Sequence, residues 1–285
     1  MTKTIRIDSH QHFWKRSRGD YGWLTPELNS IYRDFMPTDL TSILSQNEID
    51  KTILVQAAPT LAETAFLLEI AEKTAFVAGV VGWVDFENPA ATEHLRKLSA
   101  NPYFKGVRPM IQDIDDPDWM LNPELDLVFK TLIDLDLTFD ALVLPKHLSN
   151  LLVLLKRYPE LKVVIDHCAK PNITEKEFTA WAENMTRLAE KTSAYCKLSG
   201  LVTEAPRYSE ISVFQPYVDL LCTRFGAQRL MWGSDWPVIN LSSTSYEQWN
   251  TMSVSMLKRS GFNKQQIEQV MGANAAKFYQ LEGLK

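Results

Sequence analysis

Eight short, nearly unbroken apolar runs, each followed by a stretch of helical length, constrain this chain more than any other feature. The runs are residues 5–13, 51–57, 76–84, 104–110, 137–143, 162–168, 194–201 and 229–237. Most are continuously apolar rather than alternating, as in parallel strands covered on both faces. Between them, residues 61–74, 90–100, 123–136, 147–158 and 175–191 are amphipathic with a helical period. In the last of these, Phe178, Trp181, Met185, Leu188 and Ala189 form a stripe that reads as the core-facing side of a helix. Eight units of about 25 to 45 residues predict an α/β fold of the (β/α)8 TIM barrel type. An open doubly wound sheet is the competing arrangement, but no GxGxxG follows the first run and no Walker A motif occurs. No linker or composition break divides the chain, so residues 1–285 read as a single barrel domain. The longest gap between strands, 14–50, is rich in Trp, Tyr and Arg. It reads as a lid over the barrel mouth or as an aromatic loop packed on the strand ends.

Composition removes several function classes. Thirty Lys and Arg against 35 Asp and Glu leave a net charge of −5, unlike a nucleic-acid-binding surface. No apolar run approaches a membrane span and the first residues lack a signal-like core, which predicts a soluble cytoplasmic protein without a membrane partner. Cys168, Cys196 and Cys222 are odd in number and lack zinc-finger spacing, so they read as reduced, buried thiols. Ser234 lies in Gly-Ser-Asp rather than a nucleophile elbow, and no HExxH helix is present. Nothing in the sequence sets the oligomeric state.

In a barrel of this kind the chemistry sits at the C-terminal ends of the strands. The runs end in His10 and His12 on the first, Gln56 on the second, Arg108 on the fourth and Asp140 on the fifth. The sixth ends in His167, the seventh in Lys197 and Ser199, and the eighth in Asp235. The two-residue period puts His10 and His12 on one face of their strand. Three of the five histidines fall at these ends, whereas His94 and His147 read as surface residues. Each feature alone has a plain structural reading. A His-x-His pair can be a satisfied core pair, Asp235 can cap a turn, and Arg108 can pair with Asp140 as a buried ion pair. Asp166, of opposite parity to His167, reads as a supporting residue.

The segments IDSHQHFW, GVRPM, VIDHCAKP, CKLSG and WGSDWPV, in that order, resemble the amidohydrolase superfamily. More narrowly they resemble its amidohydrolase-2 branch of sugar-acid lactonases, pyrone-dicarboxylate lactonases and related hydrolases. The resemblance implies a distorted barrel with its site at the strand ends and His10, His12, His167 and Asp235 as the catalytic set. Metal-dependent members of the superfamily also use a strand-4 Lys or Glu and a strand-5 His. Here those places hold Arg108 and Asp140, and a guanidinium cannot become a bridging carboxylated lysine. The resemblance thus leaves two states: a site that needs no cofactor, which is the first choice, or a single divalent ion such as zinc on some combination of His10, His12, His167 and Asp235.

The reaction implied is hydrolytic opening of a lactone. Asp235 is expected to act as general base toward water, with His10, His12 and His167 donating to the oxyanion. Arg108, Gln56, Gln112 and Asp140 are expected to contact the substrate, and Trp14 and Trp236 to wall a sugar-like ring, with Trp83 and Asp113 as further candidates. A neutral aldonolactone is favoured over a pyrone dicarboxylate, which would call for more cations. The alternatives are a zinc-dependent amidohydrolase or decarboxylase on the same barrel, and a barrel retained only for binding.

Overall fold

The structure, a computed structural model, describes residues 4–281. It holds one eight-stranded parallel sheet in the order β1 to β8. The strands are β1 (Ile7–Gln11), β2 (Lys51–Val55), β3 (Val77–Gly82), β4 (Phe104–Val107), β5 (Thr138–Ala141), β6 (Lys162–Ile165), β7 (Tyr195–Leu198) and β8 (Leu230–Trp232). Every neighbouring pair is parallel, and the two outer strands meet at one end. There His12 N–H donates to the Trp236 carbonyl at 2.7 Å and Asp235 N–H to the His10 carbonyl at 2.8 Å. The sheet therefore forms a nearly closed (β/α)8 barrel, as the apolar runs predict.

Helices return the chain from each strand to the next: α1 (Pro37–Gln46), α2 (Leu61–Lys73), α3 (Ala91–Ser99), α4 (Asp126–Asp134), α5 (Leu148–Arg157), α6 (Thr179–Lys191), α7 (Ile211–Phe225) and α8 (Tyr246–Arg259). Two short helices, α9 (Lys264–Glu268) and α10 (Asn274–Phe278), flank a π-helical turn near the end. Local chemistry sets the boundaries. The Thr60 hydroxyl accepts from Glu63 N–H at the start of α2, and Ser245 and Gln248 form a reciprocal capping box on α8. The stripe on α6 is buried as its spacing requires, with Trp181, Met185 and Leu188 in the layer between sheet and helices. That helix starts at Thr179 rather than 175, because residues 173–176 form a turn in which Lys176 takes a positive φ.

Inside the barrel, Ile7, Ile53, Val55, Val81, Val164 and Met231 cluster with Phe278 and Tyr279 from the C-terminal helix. Gln280 reaches Asp136, just ahead of β5, so this helix covers the N-terminal mouth. The opposite mouth is left for the site.

The segment 14–50 is anchored rather than free. Trp14 and Phe35 exchange backbone hydrogen bonds in both directions, and Trp23 donates its indole N–H to the Ala57 carbonyl at 2.7 Å. Two sequence expectations are corrected here. His147 is buried, not surface, because its ring turns back to accept from Leu144 N–H at the head of α5. Arg108 does not pair with Asp140: Lys197 takes that carboxylate at 2.6 Å, and Arg108 lies 3.7 Å from Asp166. The three cysteines are free and buried, as their spacing suggests. Among the described residues no helix is long and apolar enough to cross a membrane.

Candidate active site

The site begins with a clamp between the first and last strands. The buried Asp8 carboxylate accepts from the backbone N–H groups of His10 and Ser234, the Ser234 hydroxyl at 2.6 Å and the Tyr246 hydroxyl at 2.9 Å. Burial pushes the Asp8 carboxyl up to about 6 against these hydrogen bonds. The clamp fixes the end of β1 against the loop after β8, which brings His10, His12 and Asp235 together.

Their reacting atoms converge. Nε2 of His10 lies 3.2 Å from Nε2 of His12, and Oδ1 of Asp235 lies 3.3 Å from Nε2 of His12 and 3.8 Å from Nε2 of His10. Nε2 of His167 is 3.9 Å from the same oxygen. All three imidazoles titrate below the ordinary histidine value, chiefly because burial disfavours the cation. For His10 the charges of Lys197, His12 and Arg108 add to that effect. The rings are therefore neutral near pH 7. Burial acts upward on the Asp235 carboxyl, but the polar His167 and His12 rings and the Lys170 ammonium around it favour the anion more strongly, and the group stays ionised.

His167 reaches this point through an unusual backbone. His167, Cys168, Ala169 and Lys170 all have positive φ, from 47° to 59°, a left-handed turn built without glycine. Each such residue costs roughly 1–2 kcal/mol, and strain of this kind collects at functional sites. The turn is held by Trp181, whose indole N–H donates to the Cys168 carbonyl at 2.7 Å, and by Lys170 N–H on the His167 carbonyl. It swings both His167 and Lys170 toward the barrel mouth. Ser199 stands 2.9 Å behind Nδ1 of His167.

Above these groups is a cavity of about 250 Å³. Its lining combines polar His12, His167, Asp235, Arg108 and Lys170 with apolar Trp23, Leu28, Leu142, Val238 and Leu241. That volume suits a ligand smaller than a drug-sized molecule. Gln112 and Asp113 also line it. The other residues expected at the substrate lie outside the lining. His10 is fully buried behind His12, and the Gln56 side-chain amide donates to the Arg108 backbone carbonyl at 2.6 Å while the Gln56 backbone carbonyl accepts from the guanidinium. Asp140 is buried deeper in the barrel, hydrogen-bonded to Lys197 and Tyr279. Trp14 packs edge-on against Trp23, and Trp236 against Phe13 and Phe35. Lys170, Trp23 and Leu28 are lining residues that strand-end reasoning does not reach, although Lys170 stands inside the VIDHCAKP segment.

His10, His12 and Asp235 offer two neutral imidazole nitrogens and a carboxylate oxygen within 4.8 Å of one another, and His10, Asp166 and His167 form a second such group. Imidazole with carboxylate is a donor set that zinc accepts. The residues fit one ion, provided that His10 turns a lone pair toward it.

A parallel barrel carrying polar His and Asp side chains around a small cavity at its C-terminal mouth is a scaffold for hydrolytic chemistry. This chain belongs to the amidohydrolase family, a family of enzymes, whose profile matches residues 7–281. It is 42% identical to an L-fucono-1,5-lactonase of Burkholderia ambifaria over 281 residues, covering 98% of this chain and 97% of that protein. It is 33% identical to an L-fucono-1,5-lactonase of Burkholderia multivorans over 301 residues, covering 97% and 96%. Among solved structures, an amidohydrolase from Burkholderia multivorans with bound zinc superposes with a TM-score of 0.91 at 32% identity, covering 97% of this chain and 99% of the other.

Proposed function

We propose that this protein is a lactonase that opens a neutral aldonolactone of the L-fucono-1,5-lactone kind, acting as one domain with segment 14–50 as part of its cavity wall. The observation that carries this reading is the ionised Asp235 carboxylate on the cavity wall, set between neutral His12 and His167 with Arg108 and Lys170 close by. The 42% identity to a lactonase of that name supports the choice of substrate. The two lining cations, Arg108 and Lys170, are offset by the carboxylates of Asp113 and Asp235 in the same lining, so the cavity carries no excess positive charge for a dicarboxylate and favours a neutral ring.

In this mechanism Asp235 takes a proton from water as the water oxygen attacks the lactone carbonyl carbon. The charge that develops on the carbonyl oxygen is met by His167, Arg108 and Lys170, which line the cavity together with His12, with His10 supporting them from behind. The ring C–O bond then breaks, and Asp235 returns its proton to the departing ring oxygen, giving the open-chain hydroxy acid. A lactone is an activated ester, so carboxylate and hydrogen-bond donors suffice in this reading and no cofactor is required. If an ion is bound, His10, His12 and Asp235 would hold it, and it would supply carbonyl polarisation and a more acidic water.

The test is hydrolysis of a panel of aldonolactones and pyrone lactones followed by a pH indicator. Turnover of L-fucono-1,5-lactone ahead of the pyrone diacid is the expected result. Silence on every aldonolactone would remove this assignment while leaving the family membership in place.

A further inference from the structure

Segment 14–50 gives the cavity two of its lining residues, Trp23 and Leu28, and both are apolar. The carboxylates, imidazoles and cations of the lining all stand at strand ends or in the loops that follow them. The segment therefore adds no reacting group to the site. What it adds is a surface, and the larger part of that surface is an indole. Among the described residues that line the cavity, Trp23 is the only Trp, Tyr or Phe. Trp14 and Trp236, expected from the sequence to wall a sugar ring, are packed away at 0% and 3% exposure. Trp23 is half-buried and borders the cavity.

The indole is fixed before any ligand arrives. Its Nε1–H donates to the Ala57 carbonyl at 2.7 Å, and the Ala57 N–H donates in turn to the Glu63 carboxylate at 3.0 Å. Trp14 meets the ring at 89° with centroids 5.4 Å apart, and its own indole N–H is tied to the Arg33 carbonyl at 2.8 Å. An indole has one N–H donor and no acceptor. With that donor given to Ala57, Trp23 offers a ligand no hydrogen bond, only its π surface. A ring ordered in advance loses little rotamer freedom on binding.

A sugar lactone carries its carbonyl and hydroxyls around the rim and C–H bonds on the faces of the ring. Those C–H bonds are weakly positive, and the face of an aromatic ring is negative. The polar lining around Asp235 answers the rim. We infer that Trp23 is the substrate-binding plate of this cavity: its ring lies against the C–H face of the lactone and holds the carbonyl toward Asp235, which makes segment 14–50 the part of the chain that selects a sugar ring. The inference deepens the lactonase reading of the same site and rests on it for the identity of that ring.

The test compares the full-length parent with Trp23→Phe and Trp23→Ala. Both variants leave the Ala57 carbonyl without its indole donor, and only Trp23→Ala also removes the aromatic face. On L-fucono-1,5-lactone, KM should rise about tenfold in Trp23→Ala and stay within about threefold of the parent in Trp23→Phe, with kcat within about threefold in both. A KM as high in Trp23→Phe as in Trp23→Ala would assign the effect to the Ala57 hydrogen bond and overturn the inference. Parent KM in both variants, or a fall in kcat at constant KM, would overturn it too. If Trp23→Ala does not fold, Trp23→Leu fills the space without a π face and carries the same expectation.

A second measurement needs no turnover. L-Fucono-1,5-lactam is a neutral ring of the same shape whose amide resists hydrolysis, and its binding is followed by calorimetry. Its Kd should rise about tenfold in Trp23→Ala and little in Trp23→Phe. That pattern in a protein that hydrolyses no lactone would remove the reaction and keep the plate. Lactone turnover with a lactam affinity indifferent to Trp23 would keep the reaction and overturn the plate. A parent that neither hydrolyses the lactone nor binds the lactam would overturn both.

Discussion

Oδ1 of Asp235 lies 3.3 Å from Nε2 of His12, while the Val55 carbonyl holds the His12 proton on the far nitrogen. The contacts of His10, His12 and His167 all fall on Oδ1, so Asp235 keeps Oδ2 for the proton of an attacking water. Asp235→Asn retains the shape and removes the base. A positioned general base contributes roughly 10²–10⁴-fold, so kcat on L-fucono-1,5-lactone should fall by about that factor with KM within a few-fold of the parent. Steady-state kinetics on the folded variant check this, and an unchanged kcat would remove Asp235 from the chemistry.

Removal of metal separates the two readings of the His and Asp set. Protein dialysed against a strong chelator and verified metal-free by elemental analysis should turn over the lactone at the parent rate. Zinc added back should not raise that rate. Recovery only on zinc addition would convert His10, His12 and Asp235 into ligands and make the ion part of the working enzyme.

Gly200 shows how closely the site is packed from behind. It has a φ of +69°, and a Cβ placed on it would lie 2.7 Å from Cβ and 2.8 Å from Cγ of His167. Gly200→Ala therefore displaces the ring as well as straining the backbone by roughly 1–2 kcal/mol. Misplacing a catalytic group by about 1 Å can cost on the order of 10²-fold. The expected outcome is a kcat reduced about a hundredfold together with a modest fall in melting temperature. A variant that melts lower but keeps full kcat would show that His167 can move without consequence.

The barrel was legible in the sequence because strands buried on both faces must be apolar throughout, and eight such runs leave few alternatives. His10, His12, His167 and Asp235 were legible for a related reason: a polar residue at the end of an apolar strand has only the barrel mouth to face. Lys170 was not, because its direction depends on four successive left-handed residues that no local composition signals. The partner of Lys197 was also hidden. Which carboxylate a buried cation meets is set by the stagger between β5, β6 and β7, so Asp140 went to Lys197 rather than to Arg108. Trp14 and Trp23 illustrate the limit for aromatic loops. Both are large and apolar, and only tertiary packing decides that Trp23 lines the cavity while Trp14 supports it.

Glu63 links the cavity wall to pH. Its buried carboxylate accepts from the N–H groups of Ala57 and Ala58, and Ala57 in turn accepts the indole N–H of Trp23. Burial raises its carboxyl from 4.5 to about 7, with Asp20 adding to the rise and the two N–H groups and Arg108 opposing it. A folded-state value above the unfolded one means that the native state binds the proton more tightly. The stabilisation from this group is therefore complete below about pH 4.5 and is lost as pH rises through 7, amounting to about 3 kcal/mol at most. Glu63→Gln cannot ionise, so it escapes that loss, although it gives up one acceptor oxygen at every pH. The melting temperature of the variant minus that of the parent should thus grow more positive from pH 5 to pH 8, on the scale set by that pKa shift. Thermal melts of both proteins across this range check it. A constant difference would mean that Glu63 stays ionised throughout and holds the Ala57–Ala58 turn as a plain carboxylate.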